Sequence, residues 1–366
     1  MHYMNILVIG NGFDLAHGLP TKYKDFLNFT KAAITYSQDK ASKLSDTDEK
    51  CKRGVKDFVN KKEESLVKEL VGLNSNKWYK YFWESDKEDK GWIDFESSIA
   101  HVIQAMDRMR KAIKSQKEQA SKDIKILRGV MGETPESYYT KEEGLAECKS
   151  ILIDDLNKLI RGLEIYLAEY VDDIKISSIL PDLKNMDCVL SFNYTNTYKK
   201  MYDNNEETKK RIQYDYIHGK INKESDKTRC NLVLGIDEYL DGEERRTDNE
   251  YIQFKKFYQR IIKRTGCKYI NWIEDVRKSA LEEEKGEQNK VYILGHSLDV
   301  TDGDIIANLI NMPNTQTIIY HHNQEVFEKQ VCNLVKILGE NELIAKVYGH
   351  NASIIFEKQK DPKIMS

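Results

Sequence analysis

The chain has 366 residues, of which 40% are hydrophobic and 32% are charged. This composition is typical of a globular protein that buries a core and keeps a charged surface. The 57 basic and 60 acidic residues give a formal net charge of -3, which argues against a nucleic-acid binder that works by bulk electrostatics. The lysine pair Lys255-Lys256 lies among acidic residues, and we expect it on a solvated helix face.

The sequence also does not support a membrane-spanning protein or a metal-binding protein. The N-terminus lacks a signal-peptide pattern, and no apolar run approaches the ~18 residues that a membrane span requires. The six cysteines are scattered, without a CxxC pair or a neighbouring histidine, so we expect neither a zinc site nor a disulfide framework. We predict a cytoplasmic protein that needs no metal and binds neither a membrane nor a nucleic acid.

The first element along the chain is a strand. Residues 6–9 form a continuous apolar run, the pattern of a strand that is buried on both faces of a parallel sheet. Gly10 and Gly12 follow as a turn. Pro20 then marks the approach to a helix, for which Thr21 is the predicted cap.

The region from residue 31 to 180 has a different character. Apolar residues recur at helical spacing over 93–113 and again over 153–170, and no good strand pattern is present. We predict a large helical insertion over 31–180. Its most polar segments, 38–64 and 114–150, are expected to be loops or helix ends.

Strand patterns return after Pro181. Short apolar runs predict strands at residues 188–192, 214–217, 232–234, 291–294 and 317–320. Amphipathic stretches predict helices between several of them, at 251–264, 303–311 and 325–338. Strands that alternate with helices indicate a parallel α/β sheet. We therefore predict an α/β fold with a Rossmann-like parallel sheet, in a discontinuous domain of residues 1–30 and 181–366.

The glycine turn after the first strand is the first candidate binding motif, with the sequence Gly10-Asn11-Gly12-Phe13-Asp14. In open parallel sheets, ligands bind beyond the carboxyl ends of the strands, and glycines let a pyrophosphate approach the backbone. Leu15 replaces the third glycine of GxGxxG, so this is not a dehydrogenase fingerprint. The alternative is an ordinary strand-to-loop turn. Asp14 and His17 either face a ribose or cap the next element.

Two more motifs end predicted strands. Asn193, within residues 191–196, has a side chain that both donates and accepts, which suits positioning a water or a ribose hydroxyl. The alternative is that it terminates the strand through local backbone bonds. His218, followed by Gly219, is a candidate general base near neutral pH. The alternative is a structural hydrogen-bonding histidine.

A second strand-then-glycine motif is Gly295-His296-Ser297-Leu298-Asp299. It would hold a second part of the same ligand. The alternative is a turn in which Asp299 or Thr301 caps the helix near Asp304. A nucleophile elbow is discounted because GxSxG requires glycine where Asp299 stands.

Acidic residues also open the long helix of the insertion. Asp94 and Glu96 lie in its first turn, where the helix dipole favours acids and explains them without chemistry. The secondary interpretation is that these two acids line the cleft in which the ligand binds.

Taken in order, these motifs resemble the AbiH-type bacteriophage abortive-infection proteins. The opening string runs from Asn5 to Thr21 and is followed by Tyr23 and Asp25-Phe26. The later motifs are Trp92 to Glu96, Phe192-Asn193-Tyr194-Thr195, His218-Gly219 and Gly295-His296-Ser297-Leu298-Asp299. The resemblance covers residues 4 to about 320 and implies a role in anti-phage defence.

The same order is similar to the sirtuin-like NAD-binding fold of phage-defence NADases. This resemblance implies NAD as the substrate and no metal. It implies phosphate contacts at Gly10 and Gly12, positioning of water or ribose by Asn193, His218 as the base, and adenosine-side contacts at Gly295 and Ser297. The other predicted ligand contacts are Asn11, Phe13, Asp14, His17, Tyr194 and Asp299. Thr195 stands where the NADase relatives carry Asp, and the zinc cysteines of sirtuin deacetylases are absent.

We predict an anti-phage protein that hydrolyses the nicotinamide N-glycosidic bond of NAD. The main alternative is a sensor that binds a nucleotide or ADP-ribose without cleaving it and signals to a partner through the insertion. A nuclease ranks last because the sequence offers no convincing cluster of metal-binding carboxylates. A phage-derived trigger, a defence partner protein and a homo-oligomer are all compatible with these hypotheses.

Overall fold

A computed structural model describes residues 3–41, 44, 48–88, 94–116, 121–132, 134–181, 183, 185–203, 212–222, 230–240, 243–282 and 288–364. The chain divides into two compact units. The sheet unit comprises Met1–Pro20, Ile174–Ile221 and Arg264–Ser366, and the helical unit comprises Thr21–Asp173 and Asn222–Lys263. Residues 222–263 thus group with the helices, whereas the sequence-based division assigned them to the α/β domain.

The sheet unit has eight strands among its described residues. They are β1 Asn5–Ile9, β2 Ser178–Ile179, β3 Cys188–Ser191, β4 Gln213–Tyr216, β5 Asn289–Leu294, β6 Thr315–His321, β7 Ile354–Lys358 and β8 Lys363–Ile364. Six of them form one parallel sheet in the order β4-β3-β1-β5-β6-β7. β2 and β8 pair antiparallel in a separate two-stranded sheet. The predicted α/β fold with a parallel Rossmann-like sheet is confirmed.

The central strand β1 is buried on both faces, as its continuous apolar run predicted. Ile6, Leu7 and Val8 have no exposed surface. Ile6 and Val8 belong to the core on one face of the sheet, and Leu7 and Ile9 belong to the core on the other. This division follows from the alternation of side chains along a strand.

Helices separate the strands of the sheet unit. They span Asn11–Ala16, Thr197–Tyr202, Tyr269–Glu282, Gly303–Ile310, Gln324–Leu338 and Glu340–Tyr348. The helix Asn11–Ala16 begins directly after Gly10, so most of the predicted glycine turn is the first part of a helix. The strands β2, β7 and β8 and the helices Tyr269–Glu282 and Glu340–Tyr348 were not predicted from the sequence.

The helical unit contains ten α-helices among its described residues. They span Tyr23–Gln38, Glu49–Lys61, Glu64–Gly72, Lys77–Glu88, Phe95–Lys114, Ser121–Met131, Glu136–Tyr139, Glu142–Glu169, Glu244–Thr247 and Lys256–Lys263. The two predicted apolar series fall on Phe95–Lys114 and Glu142–Glu169, although Trp92 and Ile93 lie outside the described residues. None of the described helices, in either unit, combines the length and apolar character that a bilayer span needs.

Several local expectations for the helical unit are wrong. The polar segments 38–64 and 114–150 contain helices, because their few apolar side chains, such as Val55, Phe58 and Leu127, lie on one buried helix face. Thr21 does not cap the helix that follows it. That helix starts at Tyr23, and the Lys22 N–H donates to the Asp25 carboxylate over 3.0 Å.

The apolar run at residues 232–234 is buried but is not a strand, which corrects the sequence-based prediction. The amide side chain of Gln259 takes the place of a neighbouring strand. Its Nε2 donates to the Leu234 carbonyl oxygen over 2.9 Å, and its Oε1 accepts the Leu234 N–H over 3.2 Å. A buried backbone needs its polar groups satisfied, and one side chain does this without a β ladder.

The lysine pair Lys255-Lys256 is also not on a solvated face. Lys255 is 2% exposed and Lys256 is 1% exposed. Their ammonium groups lie 2.8 Å from Glu238 Oε1 and 2.6 Å from Glu96 Oε2 respectively. A lysine this buried requires such an acidic partner because an uncompensated charge is costly to desolvate.

Candidate functional site

The candidate site lies at the carboxyl-end edge of the parallel sheet. Segments that carry the predicted site residues leave the ends of β1, β3, β4 and β5 at this edge. The strand order reverses between β1 and β5, because the chain continues from β1 to one side of the sheet and later returns to the other. In open α/β sheets, this switch point is where dinucleotides bind.

Backbone groups of the two glycine turns at the switch point bind each other. The Gly10 N–H donates to the Leu294 carbonyl over 3.2 Å, and the Gly12 N–H donates to the Gly295 carbonyl over 2.8 Å. The Phe13 N–H donates to the Gly10 carbonyl over 2.9 Å. These three N–H groups are therefore engaged within the protein.

The glycines themselves are explained by this close packing. A Cβ atom on Gly10 would lie 2.7 Å from both the Gly295 carbonyl oxygen and the His296 Cα, and one on Gly12 would lie 2.8 Å from the Gly295 Cα. Gly295 has a φ of +66°, and its Cβ would lie 2.5 Å from the Gly12 carbonyl carbon and closer still to the Phe13 nitrogen. Two backbones in contact leave no room for side chains.

Asp14 is a buried carboxyl group beneath this turn and is 1% exposed. Its Oδ2 accepts a 2.6 Å hydrogen bond from the Thr195 hydroxyl, which in turn accepts from the Thr197 hydroxyl over 3.1 Å. Burial raises the pKa of Asp14 to about 6, and hydrogen bonds from Thr195, Thr197 and Asn193 limit the rise. The site thus contains a carboxyl group that titrates close to neutral pH.

Asn193 joins the ends of β3 and β1. It is 4% exposed, and its Nδ2 donates to the Gly10 carbonyl over 2.9 Å. Its backbone N–H donates to the Ser191 hydroxyl over 3.1 Å. Tyr194, the next residue, is half-buried, and its ring centre lies 6.4 Å from that of His218. The structure therefore brings Asn193, Tyr194 and His218 into one neighbourhood.

His17 forms part of a separate buried network. Its Nδ1 lies 2.7 Å from the Phe13 carbonyl, so Nδ1 carries the proton that is donated there. Neutral His17 then has no proton on Nε2, which accepts from the Tyr202 hydroxyl over 2.7 Å; that hydroxyl in turn accepts the Leu180 N–H. Burial lowers the pKa of His17. This network accounts for His17 and for the ring of Phe13, 4.5 Å away, without a ligand.

His218 follows β4 and faces an acidic residue. It is 6% exposed, and its Nε2 lies 3.5 Å from Asp302 Oδ1. The other carboxyl oxygen of Asp302 lies 3.6 Å from Nε2 of His296. Phe192 packs its ring edge-on against both histidines, with ring centres 5.6 Å from His218 and 4.3 Å from His296. Two histidines therefore share one carboxylate at the switch point.

The segment after β5 is fixed by hydrogen bonds from a neighbouring helix. Gln330 Nε2 donates to the His296 carbonyl over 3.1 Å, and Asn333 Nδ2 donates to the Ser297 carbonyl over 3.0 Å. Ser297 itself is exposed. Asp299 accepts the Thr301 N–H over 3.1 Å, which is the capping role that the sequence offered as an alternative.

Sequence reasoning missed Asp302 and did not select His296 as a site residue. Asp302 lies between Asp299 and Asp304, and nothing in the spacing distinguishes these three acids. Only the fold turns Asp302 toward two histidines that come from different strand ends.

The remaining acids of the predicted set have structural roles in the helical unit. The Asp94 carboxylate accepts the N–H groups of Glu96 and Ser97 over 2.9 and 3.2 Å, and so caps the helix Phe95–Lys114. Glu96 pairs with Lys256. In the part of the chain that the structure describes, no three His, Cys, Asp or Glu side chains are grouped as a metal ion would require.

A model of the family described as "Bacteriophage abortive infection AbiH" matches residues 6–323. The chain belongs to this family. Searches of curated proteins and of solved structures gave no match. The match begins in β1 and ends just after β6, so the AbiH region includes all four strand ends of the candidate site. Membership of the AbiH family points to a role in abortive infection against bacteriophages.

Proposed function

We propose that this AbiH protein acts in phage defence by hydrolysing NAD at the nicotinamide N-glycosidic bond. The observation that carries the proposal is the pairing of His218 with Asp302, next to Asn193 and Tyr194, at the switch point of a Rossmann-like sheet. Dinucleotides bind at this position in such sheets, and a histidine beside a carboxylate is suited to proton transfer near neutral pH.

For this reaction the protein needs to supply mainly positioning of the reactants and proton transfer. Nicotinamide leaves as a neutral molecule from a positively charged ring, so the bond from C1′ to the ring nitrogen breaks through an oxocarbenium-like state. A water oxygen bonds to C1′, and the proton of that water passes to His218 and then to solvent. Such a base contributes about 10²- to 10⁴-fold to the rate. Asn193 would orient the water or the ribose, and the Asp14 carboxylate would favour the developing positive charge.

The dinucleotide would extend from His218 across the two glycine turns. Asn11 and Ser297 are exposed and flank the turns, so they are the groups we assign to the phosphates and the adenosine side. The N–H groups of Gly10 and Gly12 donate within the protein, and these glycines would contribute by keeping the two turns close. Gly295 would act in the same way.

A nucleotide or ADP-ribose sensor is the second candidate function. The low exposure of His218 and Asn193, 6% and 4%, favours it, since a hydrolytic water must reach the reacting carbon. A closed site of this kind would bind a nucleotide and signal without turnover. A closed site would also suit a hydrolase that opens only when a phage trigger is present. NAD hydrolysis and nucleotide binding therefore both need testing during infection.

The test measures nicotinamide release in two settings. The purified full chain is incubated with NAD, and bacteria that express it are challenged with phage while cellular NAD is followed. His218→Ala is expected to abolish both NAD loss and protection, whereas His350→Ala, which changes an exposed histidine of the same unit, is expected to keep both. Asn193→Ala serves as the second site variant, with its unfolding measured alongside.

The outcomes separate the candidates. Protection without NAD loss, together with calorimetric binding of NAD or ADP-ribose, would support the sensor and contradict hydrolysis. Protection that survives His218→Ala would contradict both candidates at this site.

A further inference from the structure

The Nε2 atoms of two histidines face the two oxygens of Asp302, His218 at 3.5 Å and His296 at 3.6 Å. From its geometry we infer that Asp302 and His296 hold the proton of neutral His218 on Nε2, so that Nδ1 is the basic nitrogen. Asp302 and His296 are thus positioning residues for His218. The use of that nitrogen in NAD cleavage rests on the proposed function, whereas the position of the proton does not.

The first step starts at the backbone of Leu298, whose N–H donates to Nδ1 of His296 over 2.9 Å. A nitrogen that accepts a hydrogen bond carries no proton, so neutral His296 must carry its proton on Nε2. Leu298 has a φ of +55°, a conformation that costs a non-glycine residue energy. The helix side chains Gln330 and Asn333 donate to the carbonyls of His296 and Ser297, the two residues before Leu298, and so stabilise this local geometry.

The second step is the contact of His296 with Asp302. The protonated Nε2 of His296 faces Asp302 Oδ2 at 3.6 Å. Asp302 is only 8% exposed, so water screens this attraction weakly. An ionised carboxyl group has acceptor sites alone, which leaves its other oxygen as an acceptor as well.

The third step fixes the proton of His218. Its Nε2 faces Asp302 Oδ1 at 3.5 Å. An unprotonated Nε2 would direct a lone pair at a carboxylate oxygen in a weakly screened site, which is repulsive, whereas an N–H is attracted. The tautomer with the proton on Nε2 is therefore favoured, and the lone pair lies on Nδ1. Once Nδ1 accepts a proton, the same carboxylate stabilises the imidazolium, as in other pairs of histidine and carboxylate.

The direct test is nitrogen NMR of the full chain with labelled histidine side chains. The chain has 8 histidines, and a spectrum of His218→Gln identifies the His218 signals. We expect His218 of the unmodified chain to show a protonated Nε2 and an unprotonated Nδ1 above its titration range. Asp302→Asn, which keeps the shape but removes the charge, is expected to shift the proton at least partly to Nδ1. A proton on Nδ1 in the unmodified chain, or an unchanged tautomer in Asp302→Asn, would overturn the inference.

The variants at His296 separate positioning from packing. His296→Gln keeps a side-chain N–H donor, whereas His296→Phe keeps a ring beside Phe192 but has no donor. We expect His218 to keep its proton on Nε2 in His296→Gln. In His296→Phe, a smaller fraction of His218 should carry the proton on Nε2. Equal spectra from the two variants would mean that His296 acts by packing alone.

Activity provides a separate readout. If NAD is hydrolysed, Asp302→Asn should lower kcat by about 10- to 100-fold with little change in KM, and Asp302→Glu should restore part of the loss. An absence of NAD hydrolysis together with the expected tautomer would contradict the proposed function and leave the inference standing. Normal turnover in Asp302→Asn with a shifted tautomer would contradict the use of Nδ1 as the base.

Discussion

Alanine substitutions at three glycines of the sheet unit distinguish packing from ligand binding. Gly10 has a φ of -120°, which alanine adopts freely, but its Cβ would meet Gly295 and His296 at 2.7 Å. Gly18 has a φ of +72° and nothing within 4 Å of its Cβ. Gly295 combines a φ of +66° with a close contact. Gly10→Ala therefore tests the steric contact alone, Gly18→Ala tests the left-handed backbone alone, and Gly295→Ala tests both together.

The magnitudes follow from these two effects. Overpacking a close contact costs about 1–3 kcal/mol, and we expect this loss in the free energy of unfolding for Gly10→Ala. The left-handed conformation costs alanine about 1–2 kcal/mol, which is the whole expectation for Gly18→Ala. Gly295→Ala carries both effects, and we expect a loss of about 2–5 kcal/mol.

Hydrogen exchange of the β1 and β5 amides, resolved by peptide mass spectrometry across a urea series, measures these losses in the sheet unit itself. A local probe is needed because a chain with two compact units need not unfold in one step. If Gly10→Ala matched the unmodified chain within about 0.5 kcal/mol, the packing explanation would be refuted, and a contact with a ligand would become the better reason for that glycine.

The remaining predictions concern buried polar groups. Tyr202→Phe removes the hydroxyl that binds His17 and the Leu180 N–H, and should cost about 1–3 kcal/mol by the same local hydrogen-exchange measurement. Lys256→Met removes the buried ammonium group that pairs with Glu96 and should cost about 3–5 kcal/mol, whereas Lys61→Ala, which breaks the exposed pair with Asp57, should cost under about 1 kcal/mol. For Asp14, the rise in pKa from 3.8 to about 6 means that the folded state binds the proton more tightly, so the free energy of unfolding should fall by up to about 3 kcal/mol as pH rises from about 4 to 7. Urea unfolding across this range, followed with a probe placed in the sheet unit, should give a flatter profile for Asp14→Asn, and equal slopes for both proteins would contradict the raised pKa.

The sequence predicted the elements whose patterns are local and strong. The apolar run of β1 and the strand-then-polar order at Asn193 and His218 are enough to indicate a parallel sheet with its functional edge. β7 was missed because its strand, Ile354–Lys358, alternates poorly and ends in charged residues. The false strand at residues 232–234 has the opposite cause, since burial of an apolar run does not require a neighbouring strand when Gln259 binds its backbone.

Pairings between distant residues were beyond local patterns. Lys256 and Glu96 each resemble an ordinary surface charge, and only the fold makes them a buried pair. The same holds for Asp302 among its acidic neighbours. Charge patterns predict solvated faces correctly on average, but they carry no information about a partner that lies far away in the sequence.

The glycine turn illustrates how one pattern serves two physical causes. Glycines after a buried strand predict close approach of something to the backbone, and in this sheet the approaching group is the other turn, which carries Gly295. That contact draws the end of β5 against the end of β1, and Phe192 and His218 then meet His296 and Asp302. Gly10→Ala should therefore also disturb the His218 tautomer, because the added Cβ would lie 2.7 Å from the Cα of His296 and 3.0 Å from its Cβ. If Gly10→Ala weakened β1 while the His218 spectrum stayed unchanged, the turn and the histidine pair would be independent, and the site would not depend on the glycines for its assembly.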